Sequence, residues 1–270
     1  MTTEFSAPEM MPSQSVGADW TAFQAFLPVP GLGALAVNAF LLKSAEPVLV
    51  DTGPAMLGDA FVEALTDAID PKDLRWIWLS HTDADHIGNL MRILELAPNA
   101  TLATSFLSVA KMQLLGLEVD RLHIVQPGDS LAVGDRDLVP VRPPYFDAPE
   151  TLGFLETKNR TLFAGDCFGA LLPRPAERLD AVDAEYLERG MAIWSAIDAP
   201  WLAQSDRAAL DRCLGDVAAL APDTILSAHL PVSDGPSHTM IDPVRRAWCS
   251  ETARSADPQS AQAVRLALAA

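Results

Sequence analysis

At 270 residues, with 49% hydrophobic and 20% charged side chains, the chain can fill a core as one folded unit, which excludes a disordered polymer. Its formal net charge of −17, from 19 basic against 36 acidic residues with no basic run, excludes a nucleic-acid partner and argues against an anionic membrane surface. No apolar run approaches the roughly 18 residues that span a bilayer, so no membrane-spanning helix is expected.

In chain order, the Ser/Pro/Met-rich residues 1–20 predict a loosely held segment, and 21–270 predict a single domain. Ala34 to Leu42 reads as a buried strand and Val48-Leu49-Val50 as a second, stopped by Asp51-Thr52-Gly53-Pro54. Phe61, Leu65 and Ile69 fall at helical spacing until Pro71 ends the run. Arg75 to Leu79 is a third strand, and Ile87, Leu90, Met91 and Leu94 mark a helix beginning behind His86. Thr101 to Ser105 follows as a strand and Val109 to Leu117 as a short helix. Short strand-like pieces then alternate with Gly, Pro, Asp and Asn turns: 122–125, 130–133, 137–141, 152–156 and 161–164. Helical patterning returns over 184–197 and 206–220, Thr224 to Ser227 is a late strand, and a terminal helix is expected after Pro258. This order predicts an α/β fold: an αββα sandwich, two mixed β-sheets flanked by helices.

The most informative segment is His81-Thr82-Asp83-Ala84-Asp85-His86, four metal-ligand side chains within six residues directly after the apolar run Trp76-Ile77-Trp78-Leu79. Imidazole nitrogens and carboxylate oxygens bind divalent transition metals, and a strand end lets a rigid sheet aim several at one point. Two remote strand ends add candidates: Asp166, flanked by Gly165 and Gly169, and His229, just before Pro231. Three widely spaced cysteines (Cys167, Cys213 and Cys249) suggest neither a disulfide framework nor a thiolate zinc site. Met1-Thr2-Thr3-Glu4-Phe5 lacks a signal-peptide pattern, so a cytoplasmic location is the simplest expectation.

Four motifs carry a family resemblance: Val48-Leu49-Val50-Asp51-Thr52-Gly53, His81-x-Asp83-x-Asp85-His86, Leu162-Phe163-x-x-Asp166-x-Phe168-Gly169 and Ser227-Ala228-His229. Over about Val37 to Pro231 the chain resembles the metallo-β-lactamase superfamily, and within it the flavodiiron and oxygen-binding di-iron branch. The superfamily's usual cluster is His-x-His-x-Asp-His, and in the di-iron branch its second His is commonly a carboxylate, as Asp83 is here. The resemblance implies one metal held by His81, Asp83 and Asp166, and a second held by Asp85, His86 and His229, with Asp166 bridging. The family normally places a further His between the cluster and the bridging Asp. His123 lies too early for it, and Asp147 stands at about that position, 19 residues before Asp166, with Glu150 as a competing candidate. Asp51 either supports the site or simply forms the turn with Gly53.

Three His and four Asp make an oxygen-rich set suited to iron or manganese, with zinc also accommodated. The resemblance implies a non-haem di-iron centre that binds or reduces dioxygen or nitric oxide. A flavodoxin-like domain does not fit in this length, so electrons would come from a separate donor protein. Alternatively, a metal-bound hydroxide oriented by Asp85 would make a zinc- or manganese-dependent hydrolase acting on an unidentified substrate. A third reading is an oxygen sensor or binding module without catalysis. The resemblance also leaves room for a homodimer, since this fold often pairs, but the sequence does not specify the oligomeric state. His238 reads as a surface-loop residue, and Cys167, Trp194 and Trp201 as core.

Overall fold

The computed structural model describes residues 6–233, 235 and 237–249; the helix expected after Pro258 lies outside them. Two short strands, β1 (Glu9–Met10) and β2 (Gln14–Val16), precede a long hairpin of β3 (Trp20–Val29) and β4 (Gly33–Leu42). β5 (Val48–Val50), α1 (Gly58–Ala68), β6 (Trp76–Trp78), α2 (Ala84–Ile87), α3 (Leu90–Leu96), β7 (Thr101–Thr104), α4 (Phe106–Leu114) and β8 (Leu122–Ile124) follow. Next come β9 (Leu131–Ala132), β10 (Asp137–Val141), β11 (Gly153–Glu156), β12 (Thr161–Phe163) and β13 (Leu171–Leu172). The described part closes with α5 (Ala184–Asp198), α6 (Arg207–Ala219), β14 (Thr224–Leu226) and α7 (His238–Cys249).

Among the described residues, one sheet runs β1-β3-β4-β5-β6-β7-β8, with β2 added to β3 and β13 to β4. The other runs β14-β12-β11-β10-β9. Strand alternation decides what each face buries. Val48 and Val50 of β5 and Trp78 of β6 enter the core between the sheets, with Trp20, Phe40, Phe154 and Phe163. Leu49 and Ile77 point the other way, against Phe61, Leu65, Leu90 and Ile93 of the flanking helices. Leu162 and Ile225 do the same on the second sheet, against Met191, Leu210, Leu214 and Val244. The result is the αββα sandwich with helices on both outer faces. Its centre is dominated by Trp78, whose ring meets Phe154 edge-on at 4.8 Å and whose Nε1 donates to Leu152 O at 3.1 Å. A buried aromatic of this kind contributes about 3–5 kcal/mol relative to alanine.

Several elements differ from the sequence reading. Composition predicts a loose segment over 1–20, yet residues 9–10 and 14–16 pair along β3, and Met11 N donates to Gln24 O at 2.8 Å. A ten-residue strand offers backbone partners that any chain can satisfy, whatever its side chains. α4 starts at Phe106 rather than Val109, because the Ser105 hydroxyl accepts from Ser108 N at 3.1 Å and caps it. The helix expected behind His86 begins before it, at Ala84. β3, β13 and α7 have no counterpart among the expected elements, and α7 contains Pro243. His238 is exposed as read, but it opens α7 rather than sitting in a loop.

Candidate metal centre

Four strand ends face one another across the sandwich. β5 and β6 run parallel in the first sheet and deliver Asp51 and the segment beginning at His81; β12 and β14 run parallel in the second and deliver Asp166 and His229. The loop between β10 and β11 adds Asp147. All seven residues expected to bind metal converge. His81, Asp83 and Asp147 form one group of ligand atoms within 4.8 Å of one another, Asp85, His86 and His229 a second, and His81, His86 and Asp166 a third linking them.

Asp166 sits at the middle. Its Oδ1 is 3.1 Å from His86 Nε2, and its Oδ2 is 3.1 Å from His229 Nε2 and 3.5 Å from His81 Nε2. Asp147 Oδ2 lies 3.6 Å from His81 Nε2, and Asp85 Oδ2 lies 3.5 Å from both His86 Nε2 and His229 Nε2. Asp83 occupies the N-cap position of α2, yet its carboxylate accepts no capping hydrogen bond and groups with His81 and Asp147 instead.

The Nδ1 atom of each histidine is held from behind, which turns its Nε2 into the centre. His86 Nδ1 is 2.9 Å from Asp51 Oδ2, and His229 Nδ1 is 2.7 Å from Ala36 O of β4. His81 Nδ1 is 3.0 Å from the Ser80 hydroxyl, which donates to Asp51 Oδ2 at 2.8 Å while Ser80 N donates to Asp51 Oδ1 at 2.8 Å. One buried carboxylate therefore orients imidazoles from both groups. Asp51 does so from a left-handed conformation, φ 57°, which Asp tolerates better than most residues. Its role is support as well as turn, which resolves the two readings of the sequence. Asn38 of β4 fixes the His229 loop by donating to Ser227 O at 2.9 Å and Leu230 O at 2.7 Å. Gly169 lets this side close, since a Cβ there would strike the Trp194 ring and His229 Cβ.

Asp147 and Glu150 separate in the structure. Glu150 is buried against Lys111 and the Thr82 hydroxyl, 3.0 Å away, and stands outside the three groups. The Asp147 Oδ1 instead accepts from the Thr151 hydroxyl at 3.2 Å, leaving Oδ2 towards His81. Cys167 is buried core as read. Trp194 packs on His229 with ring centroids 4.7 Å apart. Trp201 is partly exposed and donates to Phe146 O at 2.9 Å, on an apolar groove rather than in the core. Ser80 and Ala36 O were not legible: nothing in a serine or a backbone carbonyl signals which ring it will hold.

The donor set fits metal ions on two grounds. His81 Nε2, His86 Nε2 and Asp166 Oδ1 are buried with no hydrogen-bond partner, an arrangement that is costly unless a cation takes their lone pairs. The electrostatics point the same way. Burial favours the neutral acid at Asp166, but His229, His86 and His81 hold its carboxyl well below the usual carboxylate range. Burial likewise opposes charge on His86 and His229, but Asp166 and Asp85 lift His86 well above an ordinary histidine, with Asp51 adding, and lift His229 to about 9. In the metal-free protein, protons stand where cations would. Binding a cation must displace them, so metal affinity should rise with pH up to about 9, roughly tenfold per pH unit for each proton released. The opposite sign is expected for the metal-free fold: the His229 contribution is complete below the ordinary histidine range and lost as pH rises through about 9. Chelator competition and thermal melts at pH 6–9 check both signs; a flat affinity profile contradicts the first.

The ODP family beta lactamase model matches residues 35–229. The chain is 34% identical over 140 residues to a protein of Thermosynechococcus vestitus named as a diflavin flavoprotein (A 1), covering 49% of this chain and 24% of that protein. It is 24% identical over 199 residues to Flavo-diiron protein FprA2 of Clostridium acetobutylicum, covering 65% and 49%. Among solved structures it is similar to rubredoxin oxygen:oxidoreductase of Desulfovibrio gigas, with a TM-score of 0.76, 20% identity, and coverage of 87% of this chain and 61% of that one. The chain thus spans about a quarter to a half of the length of these two curated relatives.

Proposed function

The chain belongs to the ODP beta-lactamase family, and from that premise we propose that it is a dinuclear metal protein whose non-haem di-iron centre binds or reduces dioxygen or nitric oxide. The observation that carries this reading is the set of seven nitrogen and oxygen donors, four of them carboxylates and none a thiolate, with buried lone pairs turned inward. Such a set favours iron over an all-imidazole zinc site. His81, Asp83 and Asp147 would hold one ion and Asp85, His86 and His229 the other, with Asp166 shared. Two iron ions would supply electrons to the bound diatomic ligand, and four carboxylates would balance two divalent charges.

The chain's own residues do the rest. Asp51, Ser80 and Ala36 O fix which imidazole nitrogen faces inward. Trp194 shields His229 from one side. Asp83 is exposed and the Asp85 side chain is 27% exposed, so the ligand set opens to solvent along the start of α2, where a small molecule would enter. Electrons would come from a separate donor protein. Support for the redox reading comes from the relatives' names, flavo-diiron protein and rubredoxin oxygen:oxidoreductase.

Anaerobic purification, assay of iron, zinc and manganese, and exposure of the ferrous form to dioxygen test this. Two irons and an oxygen-dependent absorption band are expected; two zinc ions with neither iron uptake nor such a band would replace the di-iron reading with a hydrolase. Asp147→Ala should bind one metal firmly instead of two. Unchanged occupancy of two in that variant would remove Asp147 from the ligand set.

A further inference from the structure

Asp198, the last residue of α5, is an acid beside the centre that the ligand set does not use. The other non-ligating carboxylates here are tied down: Asp51 by Ser80 and His86, and Glu150 by Lys111 and Thr82. Asp198 is mostly buried, and its Oδ2 has no hydrogen-bond partner. It lies one helical turn after Trp194, the residue packed on His229, so the two share a face of α5. The charged groups that act on it are those of the centre: Asp166 from the loop after β12, His229 from the loop after β14, Asp147 from the β10–β11 loop and His86 from α2. The buried Tyr145 hydroxyl and Cys167 thiol, both pushed up by burial, also feel the Asp198 charge. No lysine or arginine is among its principal charge partners.

We infer that Asp198 is a proton-exchanging residue whose protonation follows the charge held at the metal centre. The reasoning is a charge balance. The seven grouped donors include four carboxyl groups, and two dications bound among them would bring four positive charges to the centre. A carboxyl buried nearby in a medium of low polarity feels that charge directly. Burial, with Asp166 beside it, pushes Asp198 up to about 8 when no cation is present, so it holds its proton at neutral pH. Cations at the centre release it.

This inference rests on metal binding but not on iron, so zinc alone serves as the probe. Calorimetric titration of the metal-free protein with zinc at pH 7, in buffers of different protonation enthalpy, counts protons released. Asp198→Asn should bind the same number of zinc ions and release nearly one proton fewer than the unmodified chain; Asp198→Ser should match it. Equal proton release with equal zinc overturns the role of Asp198 while leaving the metal centre intact. A difference of one proton in a chain that never takes up iron keeps Asp198 and removes the di-iron reading. A chain that binds neither metal overturns both.

Discussion

Replacing Asp166 by asparagine is expected to abolish tight binding of both of the metals proposed above. The substitution preserves shape but removes the charge at the one point shared by His81, His86 and His229, all within 3.5 Å of its oxygens. A ligand on the edge of the cluster can be lost with one ion retained. The shared carboxylate cannot, because each ion then faces imidazoles and the remaining acids without its counter-charge. We expect affinity at both positions to fall by at least about two orders of magnitude, beyond the 10–100-fold typical of supporting residues. The imidazoles report the same loss without metal. Asp166 is the first of the groups raising His229, so the His229 pKa should drop from about 9 in Asp166→Asn. Metal stoichiometry after chelator challenge and NMR titration of the histidines check the two halves. Full retention of two ions would show that Asp166 is not shared.

Asp51→Asn should have the second largest effect, although Asp51 touches no metal position. Its carboxylate accepts from His86 Nδ1 and from the Ser80 hydroxyl that supports His81. An asparagine tolerates the same left-handed backbone but can present an N–H where two donors converge. His86 then turns to the tautomer that carries its proton on Nε2, facing the centre, and His81 loses its relay. Metal affinity should fall about 10–100-fold at both positions from this one change. The fold should survive, since the amide still accepts from Ser80 N at Oδ1. Competition with a calibrated chelator, alongside a denaturation curve, separates the two. Loss confined to one ion would mean that the serine relay carries nothing.

The sequence made the candidate ligands legible because they are chemically distinctive and fall after recognisable strands: Trp76 to Trp78 before His81, Thr161 to Phe163 before Asp166, Thr224 to Leu226 before His229. Sheet layering was legible from Val48-Leu49-Val50 and Leu162-Phe163, whose neighbours enter opposite cores. What escaped was decided by tertiary partners. Glu9–Met10 and Gln14–Val16 are strands only because β3 is beside them, and Leu171–Leu172 only because β4 is. Pro243 hid α7. Asp147 could be told from Glu150 only once Lys111, 39 residues away in sequence, was seen to claim Glu150. Asp198 gave no signal, since an acid at a helix end is ordinarily solvated.

Four of the seven donors follow β6 in the first sheet, and the other three come from loops of the second. Neither half of the chain can chelate by itself with the full set. The ions can bind with full strength only after the two sheets have docked, so part of their binding energy acts as a clamp on that docking. If the proposed ions bind there, metal supply would add to the stability of the closed sandwich.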